Sequence, residues 1–370
     1  MFSPASSAFE ATALAAGILS IVAALAIWDR VRGREWLKVV QRVGLVALCQ
    51  LLAVAGAFAV VNQQNSFYLT WSELAGTADL GAVTIQDAPP ASPGGATTLK
   101  SAPSANTGAA GVPLDASPFA PAAGGMLQAT VTGPRSGVTG QVLVWTPPGY
   151  SPSGPPLPVL LSLNGYPGNP IDAINGLGLP TAIPQLIASG ALPSMIVVAA
   201  STNIGGKDWG CADAPGGPRV DTWLTRDVRE LVQANFRVLE HSRWSVLGLS
   251  AGGTCAVRLT LLHSDAFGAA VGIAGSNAPD SPALTVDRAT ARANNLLTLV
   301  AAGTPRDVSL LLAVSRTDPG TLREAQALQK AVGPHVTADI EAIANGGHNW
   351  AVWAAMTPPA LTWLGHHLDH

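Results

Sequence analysis

Residues 248–252 read Gly-Leu-Ser-Ala-Gly, a serine set between two glycines in the spacing GxSxG. A serine hydroxyl is a weak nucleophile until a base takes its proton, and a sharp strand-to-helix turn presents it to an incoming carbonyl carbon. Residues so equipped perform acyl transfer through a serine ester. In a chain with 39 glycines the pentapeptide arises by chance on the order of a few tenths of a time at average serine usage, so its weight comes from its context. Trp244-Ser-Val-Leu247 reads as the preceding strand, and Ala251 to His263 as the following helix, with Ala256, Leu259 and Leu262 apolar at helical spacing.

An activated serine needs a base, an acid to orient it and donors for the oxyanion. On a sheet that carries this turn, the order along the chain is serine, acid, histidine. Of seven histidines, His348 in Gly346-Gly347-His348-Asn349-Trp350 is best placed, on a glycine-rich loop after the last candidate strand and before a terminal helix. His263 and His335 have ordinary surface readings, and His366, His367 and His370 read as a solvated tail that could hold a metal. The acid belongs just after the penultimate strand, where a carboxylate steadies the imidazolium. Asp318 fits that place, with Glu324 in the next helix as its rival; Asp318 also fits a helix cap. For the oxyanion, the sequence offers the backbone N–H of Ala251 and that of Tyr166, in Asn164-Gly165-Tyr166-Pro167-Gly168.

The elements that must position these groups are legible as a pattern. Short β-branched runs begin at Leu127, Thr139, Pro158, Ser194, Trp244, Ala266, Val308 and Val336. Helical periods lie between them, clearest over Asp221 to Leu239 and Leu322 to Val332. This alternation predicts an α/β fold with a mostly parallel central sheet and helices on both faces, over residues 126–370.

Upstream the composition changes. Two uncharged apolar runs, at about 11–28 and 43–61, flank a basic stretch holding Arg30, Arg32, Arg34, Lys38 and Arg42. Each run is long enough to cross most of a hydrocarbon core, so residues 1–75 are expected to hold two transmembrane helices. Basic residues in a short loop stay cytoplasmic, which places both termini, and everything after Asn62, outside the cytoplasm. A cleaved signal peptide fits less well, because no positive side chain precedes the first run. Residues 76–125, rich in Ala, Pro, Gly and Ser, read as an extracytoplasmic tether with no sustained apolar period. The strand-like run Gly81 to Ile85 leaves an ordered arm as the alternative.

A net charge of −3 with lysine only at 38, 100, 207 and 330 offers no basic stripe, so nucleic acid is not an expected partner. No motif implies a cofactor or a metal, and nothing specifies an oligomeric state. Cys211 and Cys255 have no metal-ligand spacing and are equally consistent with a disulfide or with two buried thiols.

Across about Leu127 to Leu368 the chain resembles the Putative esterase family of the α/β-hydrolase fold, which includes esterase D, feruloyl and enterochelin esterases and secreted mycolyltransferases. The resemblance lies in LNGYPG, DTWLTRDVRELV, GLSAGG followed by HSDAFGAAVGIAGS, and GGHNWAVW. It implies Ser250, Asp318 and His348 as a triad with Tyr166 and Ala251 as the oxyanion hole. Because mycolyltransferases carry a glutamate on a helix, it leaves Glu324 open. It also implies a Cys211–Cys255 disulfide bracing the helix after the serine. The expected activity is hydrolysis of carboxylic esters, with a small-molecule ester or acyl lipid as substrate. Acyl transfer to an alcohol of the cell envelope is the alternative, and a non-catalytic scaffold a third reading. The two apolar runs depart from the secreted members and favour action close to the cell membrane.

Overall fold

A computed structural model describes residues 2–88 and 119–368. The centre of the segment expected to be a tether and His370 lie outside those residues. The described residues form two compact units: one comprises residues 2–81 with Arg316–Asp318 and Ala344–Val352, and the other holds the rest of the described residues.

In the first unit, α1 (Ser7–Ile27) and α2 (Glu35–Asn65) are followed by a single turn, α3 (Trp71–Leu74). Mean hydropathy reaches 2.0 in α1 and 2.3 in α2, and both are long and apolar enough to cross a membrane. Leu25, Leu51 and Val54 are exposed, as suits a lipid-facing surface better than a water-facing one. Small residues let the two backbones approach: a Cβ on Gly17 would stand 3.6 Å from the Leu52 carbonyl oxygen, and one on Gly56 would stand 3.4 Å from Leu14. Helix α2 begins eight residues before the apolar run that defines it in the sequence, taking Lys38 and Arg42 into its first turns. Glu35, Lys38 and Arg42 are good helix formers, Lys38 pairs with Glu35 at 2.8 Å, and the guanidinium of Arg42 lies 5.1 Å from the Trp28 ring centre.

The second unit begins with β1 (Val83–Gln86), β2 (Ala120–Pro121), β3 (Leu127–Thr132), β4 (Thr139–Trp145) and β5 (Val159–Leu163). Helices α4 (Pro170–Gly176) and α5 (Leu179–Ala188) lead to β6 (Ile196–Ala200), and α6 (Val220–Thr222) and α7 (Val228–Asn235) lead to β7 (Trp244–Leu249). Then come α8 (Ala251–Leu262), β8 (Phe267–Ile273), α9 (Arg288–Ala293), α10 (Leu296–Ala302), β9 (Val308–Ser315), α11 (Pro319–Lys330), β10 (Val336–Ile343) and α12 (Trp350–Gly365). The ten described strands form one sheet in the order β1-β10-β9-β8-β7-β5-β6-β4-β3-β2. From β10 to β6 all neighbours are parallel, while β1 and the β4-β3-β2 edge are antiparallel. Strands β5 to β8 are buried along their whole length, as a sheet covered on both faces requires.

Three expectations need correction. The stretch predicted as a tether carries a strand near each end: β1 pairs with β10 through Val83 opposite Ile343 and Ile85 opposite Glu341, because its β-branched residues complete an otherwise open edge. The helix expected to run to Leu239 ends at Asn235; Arg237 and Leu239 turn to exchange backbone hydrogen bonds with Leu157 at 3.0 and 2.9 Å. Helix α11 starts at Pro319, where the cap reading of Asp318 puts it, but ends at Lys330 rather than Val332, because the chain turns there and the Gly333 N–H donates to the Val300 carbonyl at 2.8 Å.

Candidate active site

Ser250 sits between β7 and α8 with φ 53° and ψ −123°, a conformation that L-residues adopt only where the surroundings enforce it. Here they do. Its N–H donates to the Ile273 carbonyl at 2.8 Å, and its own carbonyl accepts from Gly253 at 2.8 Å and Thr254 at 3.1 Å. A Cβ on Gly248 would overlap the Gly252 carbonyl, and one on Gly252 would stand 2.5 Å from the carbonyl oxygens of both Leu163 and Asn164. Glycine at 252 is therefore what lets the end of β5 touch the start of α8.

The loop after β5 packs on this turn. A Cβ on Gly165 would lie 3.2 Å from the Ser250 Cβ, which sets the backbone of Asn164 to Tyr166 beside the serine. The loop is held by two amides: Asn164 Nδ2 donates to the Gly165 carbonyl at 2.8 Å, and Asn203 Nδ2 donates to Gly165 and Gly168 at 3.0 and 2.9 Å. Sequence reasoning gave Asn203 no role, and a lone asparagine after β6 carries no signal that could have revealed one. Tyr166 is exposed, with its hydroxyl 3.4 Å from the Gly206 carbonyl.

Helix α8 is tied from behind. Cys211 and Cys255 are disulfide-bonded, with Cα atoms 5.7 Å apart. Beside the bond, buried Arg258 donates to the Cys211 carbonyl at 3.1 Å, to Asp221 at 2.9 Å and to Asn294 at 2.8 Å. His263, expected to be an ordinary surface residue, instead stands part-buried with Nε2 2.7 Å from the other Asp221 oxygen, off the line of a good hydrogen bond. Desolvation pushes the Asp221 carboxyl up, but the close approach of the His263 imidazole and the guanidinium of Arg258 more than reverse it, leaving it below its ordinary value. His335 pairs with Asp307 at 2.7 Å on the exposed surface, and His367 stacks on Trp363 at 3.9 Å.

The loops bearing the predicted acid and base belong to the first unit. Asp318 follows β9 by three residues and His348 follows β10 by five. The two loops are stapled together: Gly346 N–H donates to Thr317 Oγ1 at 2.8 Å, and that hydroxyl donates to the Gly346 carbonyl at 3.1 Å. Glu324 is engaged elsewhere. Its carboxylate accepts the Asn277 backbone N–H, and its carbonyl accepts Asn277 Nδ2 at 2.8 Å, so it fastens α11 to the segment after β8.

Comparison with known proteins agrees with this architecture. The profile of a family described as Putative esterase matches residues 136–364, well over half of the chain. The chain belongs to that family. An uncharacterised protein of Corynebacterium glutamicum is 32% identical over 126 residues, which are 33% of this chain and 29% of that protein. The chain therefore matches less than a third of that relative's length. Among solved structures, an S-formylglutathione hydrolase of Agrobacterium tumefaciens has a TM-score of 0.57 at 20% identity, covering 68% of this esterase-family chain and 99% of its own. A ferulic acid esterase has a TM-score of 0.55 at 21% identity, covering 65% and 97%. At such identities these likenesses show the α/β-hydrolase fold.

Proposed function

We propose that the protein is a membrane-anchored serine esterase in which Ser250 is the nucleophile, His348 the general base and Asp318 the residue that orients it. Residues 126–370 form its catalytic part, and α1 and α2 hold it to the membrane with that part outside the cytoplasm. The observation that carries the reading is the backbone of Ser250, held at positive φ in a glycine-cleared turn. Topology supports it further: Ser250, Asp318 and His348 follow β7, β9 and β10, parallel strands that all leave the sheet at one edge. Asp318 is preferred to Glu324 because its loop is fastened to the His348 loop, whereas Glu324 serves Asn277.

In the reaction, His348 takes the Ser250 proton as Oγ attacks the ester carbonyl carbon. The oxyanion is received by the N–H groups of Ala251 and Tyr166, the alcohol departs with the proton from His348, and water then attacks the acyl-serine with His348 again as base. The test is to treat the full chain with a fluorophosphonate and locate the adduct by peptide mass analysis. Labelling at Ser250 that is lost in His348→Ala is the expected result. An intact, folded chain that takes up no label would refute the reading.

A further inference from the structure

The His348 loop is docked on the segment that leaves the second apolar helix. The His348 N–H donates to the carbonyl of Ser66 at 2.9 Å, and Ser66 is the residue that caps α2. Asn349 Nδ2 donates to the Phe67 carbonyl at 2.8 Å, and the Phe67 ring lies 6.3 Å from the imidazole. A Cβ on Gly347 would stand 2.6 Å from the Phe67 carbonyl oxygen, so the two backbones touch. Further along, Asn345 donates from its backbone to Leu80 at 3.0 Å and from Nδ2 to Asp79 at 3.2 Å.

That segment is itself fixed to both apolar helices. Fully buried Asn62 on α2 bonds Tyr68 twice, at 3.0 Å through Nδ2 and 2.8 Å through Oδ1. Trp71 donates Nε1 to the Phe2 carbonyl at 2.9 Å and meets Phe9 of α1 edge-on with ring centres 5.0 Å apart. The apolar run of α2 ends at Val61, and Ser66 follows about 7.5 Å higher at 1.5 Å per residue. A bilayer adds roughly 5–8 Å of headgroup on each side of its hydrocarbon core.

We infer that Ser66–Gly81 is a positioning element of the esterase site, which sets His348 at headgroup depth so that the ester it serves is one presented by a bilayer lipid. This rests on the assignment of His348 as base and on the reading of α1 and α2 as spans. Because the contacts are mostly to backbone carbonyls, they orient the loop without touching the reacting atoms.

The test uses the full chain in phosphatidylcholine vesicles, with two substrates of the same acyl length: an ester lipid in the bilayer and a short ester in solution. Asn349→Asp keeps the Oδ1 that caps α12 through Ala351 and Val352 but loses the donor to Phe67. Phe67→Ala removes the ring from the other side, and Phe67→Tyr restores one. The expected result is a fall in kcat of tenfold or more in Asn349→Asp and Phe67→Ala at unchanged KM, recovery in Phe67→Tyr, and faster turnover of the bilayer ester by the wild type. Wild-type kcat in both variants, with His348→Ala inactive, overturns the positioning role and leaves the site standing. Faster turnover of the soluble ester overturns headgroup placement. Full activity in His348→Ala removes the site assignment, and the inference with it.

Discussion

Around Ser250 the chain is fixed by backbone packed on backbone, where glycines at 248 and 252 leave no room for a Cβ and a disulfide ties α8 to Cys211. Around His348 it is fixed by hydrogen bonds to a remote segment, Asn349 reaching Phe67 across 282 positions. The first arrangement is rigid and local to the sheet; the second depends on a part of the chain that has its own reason to be where it is. The contrast shows that the two halves of the proposed catalytic constellation draw on unlike sources. A nucleophile needs one strained conformation held at all times, and core packing supplies that. A base on a loop needs orientation, and a few aligned hydrogen bonds supply it at roughly 1 kcal/mol each.

Changes at three places test this contrast, beginning with the acid. Asp318→Asn is expected to lower kcat by about four orders of magnitude, as loss of an orienting carboxylate does in serine hydrolases generally. Glu324→Gln should leave kcat within a few-fold while lowering thermal stability, since its carboxylate fastens Asn277. Steady-state kinetics on both variants decides the matter, and the reverse pattern would move the acid to Glu324.

The brace behind Ser250 comes next. Replacing Cys211 and Cys255 together by serine opens a loop spanning 44 positions and should cost about 4 kcal/mol of unfolding free energy. Denaturant unfolding measures it, and fluorophosphonate labelling of Ser250 at 25 °C should persist, because the glycine packing around the turn is untouched. Loss of labelling in the folded variant would mean that the covalent tie, rather than the packing, shapes the turn.

The smallest effect concerns the strand that delivers the His348 loop. Glu341 on β10 is fully buried, and neither carboxyl oxygen has a hydrogen-bond partner among the described residues. Burial pushes its pKa up to about 8. The folded chain therefore keeps a proton that the unfolded chain releases near 4.5. That stabilising proton counts in full below about pH 4.5, and its contribution declines as pH rises through about 8. Glu341→Gln should accordingly exceed the wild type in melting stability at pH 9, by about 2 kcal/mol, and the gap should close towards pH 5. A gap that is the same at both pH values would show that Glu341 does not titrate in this window.

Much of this architecture is legible in the order of the residues. Each of the eight candidate strands from Leu127 to Val336 is present in the sheet, since alternation and β-branching are properties of neighbours along the chain. The GxSxG turn is legible for the same reason: its glycines clear space within a few residues of the serine. The two apolar helices are legible in position but not in length, because Glu35 to Arg42 carry helix-forming charges that an apolar window passes over. The pairing of β1 with β10 is half-visible, in a β-branched run whose partner lies more than 250 residues away.

What the sequence determined by itself, then, was the order of strands and helices, the strained serine and the candidates for acid and base. All of these are written in local spacing and turn chemistry. Only the tertiary structure decided that His263 belongs to a buried network with Asp221 and Arg258, that Glu324 is occupied by Asn277, and that the His348 loop rests on Ser66 and Phe67. The reason is physical: these contacts join residues distant in the chain. Where they end on backbone carbonyls, as at Ser66 and Phe67, they ask for no particular side chain and so leave no mark on the sequence.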